Sequence, residues 1–388
     1  MSQQKIHWNI DPIDRQGAIF NIITGKRSNG KSYQAKHKKG VDNYLFETDS
    51  YYDSYKDKGN VIRTIVETGK RFILMRRWKE EISTSLIEQY FSDVDVEKLT
   101  EGKYNCITCY KKKLYFSLYD HETGKTARFD HIGYVVALST EQNYAGGSYL
   151  DVTDIIFEEF MSRSEYLGLR EPDKLMNFYS TVDRGKGTTR LWLLGNKISK
   201  VCPYIEAWGL TDIFKNIKQG QILTKWVPTG EVDEDGIPIE VKIAVEDCAN
   251  TGGSNFVIGT HSDMINKGEW QTDPQPHLPN SINDYKKIYR IGFQYQNFKF
   301  IADYIQDIKT KERCWFIYPY KDNFKSDLLV FSDIIKVSKY WQRDIYNPSI
   351  KNDRLRYILQ TFRESCIFYS SDECGTDFKQ VIDFEIRK

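Results

Sequence analysis

The chain predicts an α/β fold, a mostly parallel sheet flanked by helices and followed by a smaller α/β unit, on three observations. Short apolar runs of strand length recur at Ala18–Thr24 (AIFNIIT), Arg71–Arg76 (RFILMR), Asp154–Phe160 (DIIFEEF) and Arg190–Asn196 (RLWLLGN). Such runs lack alternation, as strands buried on both faces do. Helical patterns lie between the runs, which is the spacing of strand–helix–strand crossovers. Past residue 280 the pattern changes to aromatic alternation, at Ile288–Tyr304 (IYRIGFQYQNFKFIADY). That segment reads as two strands around a tight turn at Gln296-Asn297, opening a second unit.

In chain order, Ala18–Thr24 is a β-branched run that ends at a glycine and meets polar residues able to begin a helix. His37–Asn60 is rich in Lys, Tyr and Asp with little periodicity and reads as an insertion in the crossover. A helix is expected around Val61–Thr68, then the strand Arg71–Arg76, then a helix over Glu80–Phe91 with acids in its first turn. Lys103–Val136 alternates aromatic residues with turn chemistry, a hairpin region. Gly230–Gly236 (GEVDEDG) is an acidic turn and Asn250–Ser254 (NTGGS) the best linker. The expected division is a domain over 1–246, a linker over 247–282 and a second domain over 283–388.

A chain of 388 residues, 40% hydrophobic and 14% aromatic, can build two or three cores. Its 55 Lys plus Arg nearly cancel 54 Asp plus Glu, which excludes a global basic field, so any nucleic-acid contact is local. No run approaches the roughly 18 to 20 apolar residues that cross a bilayer, and Met1–Asn9 lacks the apolar centre of a secretory signal. A cytoplasmic protein without a membrane partner is expected. Seven scattered cysteines suit a reducing compartment. Cys106 and Cys109 form a C-x-x-C with no second pair at finger spacing, read as two thiols on a strand and turn rather than a zinc site.

The chemistry concentrates at the ends of the predicted strands. Gly25-Lys26-Arg27-Ser28-Asn29-Gly30-Lys31-Ser32 matches G-x-x-x-x-G-K-[ST] in full, directly after a strand and at a helix start. In this pattern the glycines let backbone N–H groups and the positive helix end face phosphates. Lys31 is placed to bridge the β- and γ-phosphates of ATP, and Ser32 to ligate Mg²⁺. Such a loop needs a carboxylate at a neighbouring strand tip, which Glu158 supplies on the metal side, with Glu standing where Asp is usual. Glu159, one residue on, is placed to orient or deprotonate the attacking water. A separate glutamate after the metal-side acid marks the additional-strand, catalytic-glutamate (ASCE) division of P-loop NTPases. Asn196, leaving the last strand, fits the polar group that contacts γ-phosphate. Hydrolysis in trans within a ring needs a cation reaching the neighbour's phosphate. Arg184, in a glycine-loosened loop, is the first candidate, Arg190 its competitor and Lys79 a second cation. Lys111-Lys112-Lys113 near a hairpin could track a DNA backbone or form a solvated face.

With these residues in place, the chain resembles the DNA-packaging (encapsidation) ATPases of small protein-primed tailed phages, related to terminase large subunits. The resemblance rests on GKRSNGKSY, FILMRRWKEE, ALSTEQNYAGGSYLDVTDIIFEEFM, STVDRGKGTTRLWLLGN and PYIEAWGL, and covers roughly residues 15 to 215. It implies Lys31 and Ser32 on ATP and Mg²⁺, Glu158 on the metal, Glu159 as catalytic glutamate, Arg184 as trans-acting arginine and Lys79 as a second intersubunit cation. It further implies a homo-oligomeric ring, a pentamer, acting on double-stranded DNA in the host cytoplasm at the portal vertex of the procapsid, with a packaging RNA as a further partner. The family's C-terminal domain resembles a ribonuclease-H-like nuclease without its activity. A live nuclease needs clustered acids for two metals. Ile288–Gln296 carries no carboxylate, and Asp303 and Asp307 on the next element do not replace it. Residues 283–388 therefore read as a module binding portal, DNA or RNA. The alternatives are a terminase with a live nuclease, another nucleic-acid-remodelling ATPase, and a nucleotide switch or kinase.

Overall fold

The computed structural model describes residues 8–26, 29–37, 69–144, 146–162, 166–168, 170–198, 201–232, 234–248, 274–295, 298–332, 336, 338–342 and 353–386. The crossover insertion beyond residue 37, the helix expected at 61–68, the linker at 250–254, the turn at 296–297, and Arg27 and Ser28 of the glycine loop lie outside the described residues. The chain divides into two compact units, Met1–Lys197 with Asp212–Glu269, and Ile198–Thr211 with Trp270–Lys388. The short segment 198–211, expected in the first domain, thus groups with the second.

Among the described residues the first unit holds a nine-stranded sheet. Its strands are β1 (Phe20–Gly25), β2 (Arg71–Arg76), β3 (Cys106–Tyr110), β4 (Lys113–Tyr119), β5 (Thr126–Ala137), β6 (Val152–Glu158), β7 (Arg190–Asn196), β8 (Gln221–Val232) and β9 (Pro238–Asp247). The order is β3-β4-β5-β2-β6-β7-β1-β9-β8. Strands β5, β2, β6, β7, β1 and β9 run parallel, and β3, β4 and β8 add antiparallel hairpin partners at the two edges. The sheet is therefore mixed, parallel only in its centre. The central strands are those with unbroken apolar runs. β1 is buried at every position, and β2 and β7 at all but their ends. Two faces covered by other elements leave no polar side to alternate with.

The helix Thr84–Tyr90 begins four residues after the expected start, because Ser83 caps it by accepting from the Leu86 N–H, and Lys79–Glu81 form a separate 3₁₀ turn. Ile87 and Phe91 bury this helix, with Phe91 edge-on to Phe72 of β2 at 5.9 Å. The acidic turn at 230–236 joins β8 to β9, two long strands that the sequence reading did not resolve. Much of β8 is exposed, so its residues carry neither a buried run nor a clean alternation.

The second unit holds, among the described residues, a six-stranded sheet of order β14-β13-β10-β11-β12-β15. Here β10 is Tyr285–Tyr295, β11 Phe298–Asp307, β12 Arg313–Pro319, β13 Val330–Ser332, β14 Trp341–Gln342 and β15 Ile367–Tyr369. β10, β11 and β12 form an antiparallel meander, while β13 joins β10, β14 joins β13 and β15 joins β12 in parallel. An aromatic cluster fills its core, with Phe293 edge-on to Phe378 at 4.9 Å and Trp315 edge-on to Phe362 at 5.1 Å. Such contacts add about 0.5–1.5 kcal/mol each beyond area burial.

Candidate functional site

Parallel strands present their carboxyl ends on one side of a sheet, and the chemistry of the first unit gathers there. β1 ends at Gly25, and the helix Lys31–His37 starts after the loop. Gly25 has no room for a side chain, since a Cβ would lie 2.7 Å from Asn29 Nδ2 and 2.9 Å from the Cys248 Cβ. Gly30 turns with φ of 94°, a conformation that L side chains avoid.

Lys31 folds back into this loop. Its Nζ donates to the Lys26 carbonyl at 2.8 Å, the Gly25 carbonyl at 3.4 Å, Asn29 Oδ1 at 3.2 Å and Asn196 Oδ1 at 3.2 Å. Burial lowers the Lys31 pKa, while Cys248, Glu158 and Asp247 oppose the shift electrostatically. Asn196 reaches Lys31 because β7 lies directly beside β1, with Asn196 opposite Gly25.

Glu158 ends β6, separated from β1 by β7 alone. Its Oε2 accepts from Ser32 Oγ at 3.0 Å and its Oε1 from the Tyr90 hydroxyl at 2.5 Å. Burial pushes its pKa up, and these two hydrogen bonds pull the other way. Glu159 leaves the strand with φ of 57°, left-handed for a non-glycine residue, so its side chain turns to solvent. Arg76 Nη2 holds Glu159 Oε2 at 3.1 Å. A cleft of about 260 Å³ is lined by Asn29, Lys31, Ser32, Glu158, Glu159 and Asn196, among others.

The other expected site residues stand apart from this cleft. Lys79 is exposed in the 3₁₀ turn after β2, on the carboxyl side of the sheet. Arg184 caps the helix Glu171–Asp183 with φ of 52°, is exposed, and donates from Nη2 to the Gly147 carbonyl at 2.9 Å. It precedes β7, so it lies at the amino ends of the strands, the side opposite Lys31. Arg190 is committed to an ion pair with Asp154 at 2.8 Å and another with Asp14 at 2.7 Å. The lysine triplet forms the tip of the β3–β4 hairpin, where Lys111 and Lys112 both take positive φ and Lys113 begins β4. Lys111 and Lys113 are exposed, and Lys112 Nζ donates to the Tyr144 hydroxyl at 3.0 Å. Cys106 and Cys109 lie together on β3 as free thiols, and no group of three or more metal-ligating side chains occurs among the described residues.

Sequence reading missed several partners that tertiary structure brings in. Tyr90 reaches Glu158 from a helix 68 residues upstream. A Lys197–Asp247 ion pair of 2.5 Å joins β7 to β9 across the end of β1. Arg77 clasps Glu171 at 2.9 Å and donates to the Glu159 carbonyl at 3.0 Å, fastening the backbone just past β6. None follows a spacing rule, because each pair spans a crossover.

The class these observations define is an α/β protein with mixed sheets. Residues 38–221 match the family model of the podovirus DNA encapsidation protein (Gp16), so the chain is similar to that family over this stretch. The match begins beyond the glycine loop, whose reading rests on its own residues. The chain is 29% identical over 199 residues to the DNA packaging protein of Bacillus phage B103, covering 50% of this chain and 48% of that protein. It is 28% identical over 194 residues to that of Bacillus phage phi29, covering 48% and 45%. The chain thus spans about half the length of the curated relatives it matches. A chain of the bacteriophage phi29 viral genome packaging motor assembly shares the fold, with a TM-score of 0.50 and 18% identity over 98% of this chain and 99% of that one. No helix among the described residues is long and apolar enough to cross a membrane.

Proposed function

We propose that the protein is a phage DNA-packaging motor that hydrolyses ATP to move double-stranded DNA into a procapsid. The observation that carries this reading is the convergence of Lys31, Ser32, Glu158 and Asn196 within hydrogen-bonding reach at the carboxyl ends of β1, β6 and β7. An ammonium, a hydroxyl, a carboxylate and an amide so arranged match what a magnesium triphosphate requires. Gly25–Ser32 cradles the phosphates, Lys31 exchanging loop carbonyls for phosphate oxygens. Ser32 and Glu158 supply oxygen donors that fit Mg²⁺, which when bound neutralises charge on the phosphoryl oxygens. Glu159, lining the same cleft, orients the attacking water. The strand β7 between β1 and β6 supports placement in the ASCE division.

Arg184 lies on the far side of the sheet from its own Lys31, so a role at γ-phosphate requires another subunit. That supports a ring, which we take as a pentamer, with Arg184 acting in trans and Lys79 as a second intersubunit cation. The exposed Lys111 and Lys113 are available to a DNA backbone, with Lys112 bracing the turn. Portal, procapsid and a packaging RNA complete the partners, in the host cytoplasm.

The second unit's meander with parallel additions supports a ribonuclease-H-like fold. Its candidate metal ligand is occupied by protein. Asp303 accepts from Arg290 at 2.6 and 2.9 Å and pairs with Lys287 at 2.8 Å, contacts that hold its pKa below the usual range against the opposing effect of burial. Asp307 caps a turn through the Lys309 and Thr310 N–H groups. We therefore read the second unit, Trp270–Lys388 with Ile198–Thr211, as a binding module rather than as a live terminase nuclease; the division expected at 246 and 282 shifts accordingly, since Asp247 still belongs to β9 and His277 already bonds to Asp372. The deciding experiment is an ATPase assay with and without double-stranded DNA. Stimulation by DNA is expected, whereas phosphate transfer to an acceptor without DNA dependence would indicate a kinase instead.

A further inference from the structure

A glutamate at the metal-side position poses a mechanical problem. It has one more methylene than aspartate, hence one more rotor to hold still before an oxygen can face Ser32. Among the described residues, the hydrogen-bond donors to Glu158 are Ser32 on Oε2 and Tyr90 on Oε1. We propose that Tyr90 is the positioning residue for Glu158, clamping Oε1 so that Oε2 stays turned toward Ser32 and the metal. The inference rests on the ATP–Mg²⁺ reading of the site.

The tyrosine is itself fixed from several sides. Lys36 places its ammonium 4.2 Å from the centre of the Tyr90 ring and donates to the Tyr90 carbonyl. Lys36 also pairs with Asp93 at 2.6 Å, just past the helix that carries Tyr90. Phe91 packs edge-on against the Tyr90 ring at 5.0 Å and is anchored on Phe72 in the core. Ser32 and Lys36 stand four residues apart on one helix, hence on one face. One face of the loop helix therefore carries both the hydroxyl on Glu158 Oε2 and the cation that holds the donor to Oε1. An aspartate at 158 would fall about 1.5 Å short of Tyr90. Glutamate and tyrosine work as a pair, in the way that partners behind a ligating carboxylate generally orient it.

The test uses the full chain and a fluorescent ATP analogue, titrated with MgCl₂. Tyr90→Phe removes the hydroxyl and keeps the ring. It is expected to leave metal-free nucleotide binding within about twofold while raising the Mg²⁺ concentration for half-maximal metal-dependent binding about 10- to 100-fold. Glu158→Asp should show a comparable rise, and Tyr90→Phe should add nothing to it in the double variant. Lys36→Met, which keeps the hydroxyl but releases the ring, should move the Mg²⁺ dependence the same way by a smaller factor. It also serves as the readout if Tyr90→Phe does not fold. A Tyr90→Phe protein with wild-type Mg²⁺ dependence, or penalties that multiply in the double variant, would overturn the role of Tyr90 while leaving the ATP site standing. Wild-type protein that binds no analogue with Mg²⁺ present would overturn both.

Discussion

Lys31 is engaged by three acceptors of its own loop and by Asn196 at the end of β7, and these four acceptors define where a phosphate oxygen would compete. The contrast between Glu158 and Glu159 follows from one backbone change. Glu158 stays in the strand and is buried, while the left-handed turn at Glu159 swings the next carboxylate out toward Arg76. Glu159→Gln preserves size and leaves an amide oxygen to accept from Arg76 in place of the ion pair, so ATP-analogue affinity should stay within about threefold. Turnover should fall about 10²- to 10⁴-fold, the usual contribution of a positioned base. Steady-state hydrolysis alongside equilibrium binding checks both, and retained turnover removes Glu159 from that role. Arg184 makes its prediction through neighbours. In the proposed ring, Arg184→Ala subunits mixed with wild-type ones should depress activity more steeply than their fraction, because under that proposal each mutant disables another subunit's site. Activity falling in simple proportion to dose would show that Arg184 does not act in trans.

At the scale of elements, β9 contributes more than a neighbouring strand to β1. Its Glu246 accepts from the Trp8 indole N–H at 2.6 Å, and Trp8 N donates to the Asn29 carbonyl at 3.1 Å, so β9 braces the glycine loop through an amino-terminal residue. Burial, with a smaller contribution from Asp247, raises the Glu246 pKa to about 7. A carboxyl whose folded pKa exceeds its unfolded value binds more protons when folded. Stability is therefore lost as pH rises from about 4.5 to about 7. The rise from 4.5 to about 7 corresponds to about 3 kcal/mol at most. Glu246→Gln keeps an acceptor for Trp8 and removes the charge. It should flatten the pH dependence and be the more stable form at pH 8. Denaturant unfolding of both proteins between pH 5 and pH 8 checks this, and parallel curves would dismiss Glu246 as the titrating group.

Across the whole molecule, the two units differ in how they use buried acids. In the first, Glu158 keeps an oxygen directed at the loop hydroxyl. In the second, Asp303 is enclosed by Arg290, Lys287 and the Tyr318 hydroxyl at 3.0 Å. Plasmid DNA incubated with the protein and Mg²⁺ or Mn²⁺ should stay intact. Asp303→Ala should instead destabilise the second unit by about 1–3 kcal/mol, the scale of losing charge-assisted hydrogen bonds whose cations, Arg290 and Lys287, remain partly exposed to water. Cleavage by the wild type that vanishes in this variant would make Asp303 a metal ligand and the unit a nuclease.

Much of the centre of this protein could be read along the chain. Arg71–Arg76 and Arg190–Asn196 are strands with the expected bounds, and Phe20–Gly25 and Val152–Glu158 lie within two residues of theirs. Continuous apolar runs, and a glycine loop between strand and helix, are local signals that need no partner to be recognised. Lys31 and Ser32 were legible from the glycine loop that leads into their helix, and Glu158 and Asn196 from standing at the ends of such runs. The exposed strand β8, the grouping of residues 198–211, the clamp of Tyr90 on Glu158 and the Lys197–Asp247 pair were not. These depend on which strands become neighbours and on groups far apart in sequence meeting across a crossover. Strand order is chosen by packing of the whole sheet, a property that no single segment carries.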